Sequence, residues 1–139
     1  MYGIPGSGKS YVAYRLSKTH NIPLISSDGI REELFGRWVD TPLVYIIIYE
    51  RMSRILTAHQ SVIFDAANLQ FKYRKIIPEK FINLYTKKIL IMVEAPIDIC
   101  LIRNKERSRH VPFDTIVNMY LSKEYPQMDE YDEIYVIYT

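Results

Sequence analysis

Eight residues near the N-terminus restrict this chain more than anything after them. Gly3-Ile4-Pro5-Gly6-Ser7-Gly8-Lys9-Ser10 matches G-x-x-x-x-G-K-S at every fixed position, the pattern of a phosphate-binding loop, or Walker A motif. The spacing has a physical cause. Glycines at 3, 6 and 8 carry no Cβ, so the backbone can take positive φ and curl around a phosphate chain. Successive N–H groups then face inward as an anion-binding nest. A helix beginning near Gly8 adds unpaired N–H groups and the positive end of its dipole. Lys9 supplies a charge for the β- and γ-phosphates, and the Ser10 hydroxyl a ligand for Mg2+. The expected nucleotide-binding set is this loop, Gly3, Ile4, Pro5, Gly6, Ser7, Gly8, Lys9 and Ser10, with the adjoining Tyr11. ATP and Mg2+ are the expected cofactors.

Such a loop normally hangs from a buried β-strand, yet only Met1 and Tyr2 precede Gly3. Either the strand is very short or the chain is an N-terminally truncated form of a longer protein. Truncation is the favoured expectation, with a loss of stability as its consequence. A native protein whose intact mass begins at Met1 would overturn it. The 139 residues suffice for one domain with a core. A net charge of +2 creates no strong overall field toward nucleic acid or membrane, so any basic patch must be local. The single cysteine, Cys100, has no disulfide partner within the chain, which is compatible with a reduced, cytoplasmic setting. The longest apolar run, Val44 to Tyr49, is too short to span a bilayer. Twelve tyrosines are scattered along the chain and are expected in the core or at its rim.

After the loop the pattern alternates. Lys9 to about Thr19 reads as a helix with Val12, Ala13 and Leu16 on one face, and Ile22 to Ile25 as a short strand. That strand delivers Ser26-Ser27-Asp28 to its carboxyl end, where ligands sit in open α/β sheets. A short helix over Ile30–Phe35 stops at Gly36, and Thr41-Pro42 starts another that runs to about Gln60. Leu43, Ile46, Ile47, Tyr49, Ile55 and Leu56 form its expected apolar face. Val62-Ile63-Phe64 ends in Asp65, a hydrophobic strand closed by an acid, which behind a phosphate loop reads as the Mg2+-supporting Walker B position. Ala66-Ala67-Asn68 make the loop that follows. Lys72 to Tyr85 is expected as a helix bent near Pro78, and Ile89 to Val93 as a buried strand. Pro96 opens a helix carrying Arg103, Lys105, Arg107 and Arg109, in which Arg103 and Arg107 share a face. Phe113 to Lys123 is an amphipathic helix with Ile116, Val117, Tyr120 and Leu121 inward, and Ile134 to Tyr138 a closing strand. Alternating strands and helices imply an α/β fold: a three-layer P-loop architecture, its parallel sheet covered by helices on both faces. The chain reads as one domain over residues 1–139.

The motifs G-I-P-G-S-G-K-S, S-S-D-G-I-R, F-D-A-A-N-L and R-N-K-E-R-S-R-H-V-P follow one another in this order. In that order the chain resembles the 5′-kinase domain of phage-type polynucleotide kinases and their small P-loop relatives, over nearly its whole length. The resemblance implies roles. Asp28 would be the general base that takes the proton of the acceptor hydroxyl; otherwise it is a helix N-cap. Arg31 would contact an acceptor phosphate, which a planar guanidinium suits. Asp65 would position Mg2+ with Ser10 or orient the acceptor-side arginine, and Asn68 belongs to the same substrate side. Arg103 and Arg107 match lid arginines that clamp the donor phosphates; otherwise they form a solvated basic face. The chain departs from the family in having Tyr11 where a threonine is usual, in lacking the upstream strand, and in carrying no phosphatase domain.

The implied reaction is phosphoryl transfer from ATP to a hydroxyl, with Lys9, Arg103 and Arg107 stabilising the moving phosphoryl group and Asp28 as base. The first acceptor is a polynucleotide 5′-hydroxyl, for which Lys72, Tyr73, Arg74 and Lys75 offer a local basic and stacking patch. The second is a small molecule such as a nucleoside, sugar or antibiotic. A third reading is a nucleotide-binding module without catalysis.

Overall fold

The computed structural model describes residues 1–37, 39, 41–108 and 110–139. Four strands and seven helices alternate along it: α1 (Lys9–His20), β1 (Leu24–Ser26), α2 (Ser27–Phe35), α3 (Pro42–Thr57), β2 (Ile63–Asp65), α4 (Phe71–Arg74), α5 (Ile76–Lys80), β3 (Ile89–Glu94), α6 (Ile97–Lys105), α7 (Phe113–Leu121) and β4 (Glu133–Tyr138). β1 pairs with β2 and β3 with β4, both in parallel. Residues 1–3 join the two pairs. The Met1 ammonium donates to Phe64 O of β2 at 2.9 Å. Tyr2 forms a parallel bridge with Met92, its N–H donating to Ile91 O and its carbonyl accepting from Val93 N, each at 2.9 Å. The order across the sheet is thus β1, β2, residues 1–3, β3, β4, all parallel. Met1 and Tyr2 lie between β2 and β3, in the central position from which the loop springs.

Side-chain alternation then assigns the faces. Met1 and Val93 pack with Ala13 of α1 on one side. Tyr2, Leu90 and Met92 pack with Cys100 of α6 and Ile116 of α7 on the other. Helices therefore cover both faces, as the three-layer reading requires.

Several boundaries move. α2 begins at Ser27, because the Ser26 hydroxyl accepts from Gly29 N–H at 3.2 Å and caps it. Asp28 is thereby released from the capping role. α3 stops at Thr57, ahead of His59 at φ 55°. Its buried positions are Val44, Ile48, Met52 and Leu56, four apart along one stripe, whereas Leu43 and Ile46 are exposed. The helix expected over 72–85 is two short ones. Pro78 has no N–H to give Arg74 O and its ring crowds that carbonyl, so the chain breaks at Lys75. Leu121, expected inside α7, is exposed. Tyr11, Tyr14, Tyr73, Tyr125, Tyr135 and Tyr138 are exposed too, so only part of the tyrosine set serves the core.

Candidate active site

The phosphate loop is held from behind. Gly6 lies at φ 85°, and a Cβ there would sit 2.2 Å from Cys100 O. Only glycine lets the loop press so closely on α6. Gly8, at φ 88°, is the left-handed N-cap of α1 and makes no side-chain cap, which leaves the first-turn N–H groups of α1 for an anion. Ser7 is buried and its Oγ has no hydrogen-bond partner in the structure. Lys9 leads α1, and its Nζ lies 3.8 Å from Asp65 Oδ1.

Asp65 closes β2 and is only 3% exposed. Its Oδ1 is buried with no hydrogen-bond partner. Lys9 is its ion-pair partner at 3.8 Å, but a buried carboxylate oxygen without a hydrogen bond keeps acceptor capacity for a further ligand. Asp65 and the exposed Ser10 hydroxyl offer hard oxygen donors of the kind Mg2+ takes. Among the described residues no group of three or more His, Cys, Asp and Glu could hold a metal by itself. Beside this carboxylate, burial lowers the Met1 amino group to about 6, with the Asp65 charge opposing the shift.

The two arginines expected in the lid, Arg103 and Arg107, meet the loop. A cavity of about 190 Å3 is lined by Ile4, Gly6, Gly8, Lys9, Ser10, Tyr11, Arg103 and Arg107. Arg103, in the last turn of α6, donates through Nη1 to Gly6 O at 3.4 Å and to Thr139 Oγ1 at 2.8 Å. Arg107 lies beyond the helix, which stops at Lys105, and its N–H reaches back to Asn104 O. The expected single helical face therefore covers Arg103 but not Arg107; the cavity brings them together instead. Arg109 lies outside the described residues.

Asp28, Arg31, Asp65 and Asn68 do not line this cavity. Arg31 is buried; it donates through Nη1 to Asp28 Oδ1 at 3.3 Å and through Nε to Val39 O at 3.2 Å. Asn68, at φ 51°, donates its Nδ2–H to Met1 O at 2.9 Å, while Gly3 N–H donates to Ala67 O at 3.2 Å. The loop after β2 is thus stitched to the phosphate loop. Arg74 is not part of a surface patch. It is buried, forks onto both carboxylate oxygens of Glu130 at 2.8 and 3.0 Å, and donates to Asn68 O, Leu69 O and Glu124 O. Lys72 over Tyr73 and Lys75 over Phe71 remain exposed. At the end of β3, Lys123 pairs with Glu94 at 2.8 Å; burial disfavours its charge, but hydrogen bonds to Glu94 and Tyr125 outweigh that and hold its pKa above the usual lysine range. No helix among the described residues is long and apolar enough to cross a membrane, and Cys100 is buried and free.

The sequence reading missed Thr139 and the Arg74–Glu130 clamp. Both act between segments far apart in the chain, and no local pattern marks them.

Comparison with known proteins follows this geometry. The family model described as an AAA domain matches residues 1–122. No curated protein matches the chain. Among solved structures, a candidate kinase of Chloroflexus aurantiacus superimposes with a TM-score of 0.81 at 18% identity, over 99% of this chain and 82% of that one. Kti12 of Chaetomium thermophilum, solved with ADP-AlF3, gives 0.74 at 17%, covering 99% and 86%. A gluconokinase of Sinorhizobium meliloti gives 0.66 at 17%, covering 99% and 79%. At these identities the likeness shows a shared P-loop fold.

Proposed function

We propose that this chain, which belongs to the AAA domain family, transfers the γ-phosphoryl group of ATP to an acceptor hydroxyl. The observation that carries the reading is the single cavity in which Arg103 and Arg107 join Lys9, Ser10 and the loop glycines. Binding alone needs the loop; convergent cations at the far end of the phosphates serve charge that develops during transfer.

The loop N–H groups and Lys9 hold the donor phosphates. Arg107, which makes no ion pair among the described residues, stabilises the moving group. Ser10 and Asp65 would hold Mg2+, which when bound neutralises phosphate charge. Asp28 takes the acceptor proton, with Arg31 orienting its carboxylate at 3.3 Å. Asn68 fixes the substrate-side loop through Met1 O.

Two acceptors each have support. A small hydroxylated molecule is favoured by the burial of Arg74, which removes one cation from the expected nucleic-acid patch, and it is the kind of acceptor a gluconokinase takes. A polynucleotide 5′-hydroxyl is favoured by the exposed pairs Lys72–Tyr73 and Lys75–Phe71, which suit stacking beside a phosphate backbone. The test is transfer from γ-labelled ATP to a 5′-hydroxyl oligonucleotide and, separately, to a panel of sugar acids and nucleosides, with Asp28→Ala alongside. Label on one acceptor class, lost in Asp28→Ala, supports the reaction and identifies the class. ATP binding that depends on Lys9 with no labelled acceptor would turn the reading to a nucleotide-binding module.

A further inference from the structure

We infer that Thr139 is a positioning residue that aims the phosphate loop, and that it recruits Arg103 to that task. The inference deepens the nucleotide-site reading above and rests on it.

A phosphate loop that turns its N–H groups inward turns its carbonyls outward, since N–H and C=O lie on opposite edges of a trans peptide plane. Those outward carbonyls need donors. The Thr139 hydroxyl donates to Ser7 O at 2.9 Å. That peptide's other edge is the Gly8 N–H, which has no backbone acceptor among the described residues. Gripping Ser7 O therefore fixes the direction of the Gly8 N–H, on the side open to an anion. Thr139 is itself fixed. Its N–H donates to Glu94 O at 3.0 Å, extending the β3–β4 ladder, and its Oγ1 accepts from Arg103 Nη1 at 2.8 Å. Arg103 occupies one lone pair of the hydroxyl, so the hydroxyl proton turns to Ser7 O. A guanidinium donating into a hydroxyl that donates onward also strengthens the second bond. The same Nη1 reaches Gly6 O at 3.4 Å. Arg103 thus commits one nitrogen, Nη1, to the outward face of the loop, while its guanidinium still lines the cavity with Arg107.

The test uses Thr139→Val, which keeps the shape and removes the hydroxyl, and Thr139→Ser, which restores it. Titration calorimetry with Mg·ATP should show about three- to tenfold weaker binding for Thr139→Val, the effect of losing one neutral hydrogen bond. The melting temperature should stay put, because Thr139 is exposed, and Thr139→Ser should bind like the parent. In a double-mutant cycle Thr139→Val should add little to Arg103→Ala but its full effect to Arg107→Ala. A second measurement needs no nucleotide. The Ser7 amide, bonded to Ile4 O at 3.2 Å, should exchange hydrogen about three- to tenfold faster in Thr139→Val. Unchanged binding together with unchanged Ser7 exchange overturns the inference, as does full additivity with Arg103→Ala. If the parent protein itself shows no Lys9-dependent ATP binding, the proposed function fails, and Ser7 exchange still decides the role of Thr139.

Discussion

Replacing Gly6 by alanine perturbs the loop at one atom whose surroundings are known. The backbone there sits at φ 85°, and the new Cβ would lie 2.2 Å from Cys100 O and 2.8 Å from Cys100 Cα. Real Cβ atoms essentially never approach closer than 3.0 Å, so the loop or α6 must move by at least about 0.8 Å. The obstacle is helix backbone, which cannot rotate away as a side chain can. Gly36 provides the control. It sits at φ 60° with nothing among the described residues within 4 Å of its would-be Cβ. Gly36→Ala therefore incurs only the left-handed strain, about 1–2 kcal/mol, partly offset by a less flexible unfolded chain; a net loss of about 1 kcal/mol is expected. Gly6→Ala carries the same strain plus overpacking of about 1–3 kcal/mol, for a total near 3 kcal/mol. Function suffers more, because the shifted atoms are those that cradle phosphate; misplacement on the order of 1 Å can cost about 10²-fold. Urea denaturation and Mg·ATP calorimetry on the two variants read both effects. Gly6→Ala matching Gly36→Ala in stability and in ATP affinity would refute the claim that α6 backs the loop.

Other outcomes follow from the same geometry. Arg107→Ala should lower turnover by about 10³-fold or more, whereas Arg54→Ala, which removes an exposed pair with Glu50 on α3, should change it less than about twofold; single-turnover assays compare them. Glu130→Gln leaves Arg74 buried without its carboxylate, and urea denaturation should show a loss of about 3–5 kcal/mol. The Met1 amino group, lowered by burial from 8.0 to about 6, binds fewer protons folded than unfolded between those values, so stability of the chain with a free Met1 should rise from pH 6 to pH 8 by about 2 kcal/mol. A flat or falling profile over that range would count against the buried ammonium.

What could be read from the sequence was what local spacing encodes. Gly3 to Ser10 fixes its own conformation through its glycines, and the strand ending in Asp65 carries its acid at a position set by the pleat. The Ser26 cap was equally local, but Asp28 two residues on is also a good capping residue, and only the hydrogen bond from Gly29 decides between them. Pro78 announced a break without saying that the break would fall at Lys75, because the carbonyl it disrupts lies four residues back. Arg74 was misread for a different reason. A cation in the run Lys72 to Lys75 is solvated by default, since burying a guanidinium costs several kcal/mol unless its donors are met. Here they are met by Glu130 and by carbonyls at 68, 69 and 124, about fifty residues away along the chain in the farther cases. The central strand follows the same logic. Two residues seemed too few to hold a loop, yet Met1 donates a hydrogen bond to β2 and Tyr2 exchanges two with β3, so their neighbours supply the rigidity that length does not. The parts of the site hardest to see in the sequence are therefore those in which one segment completes the hydrogen bonding of another. Thr139 and Ser7, 132 positions apart, are the extreme case: what each requires is visible only once the sheet has set them side by side.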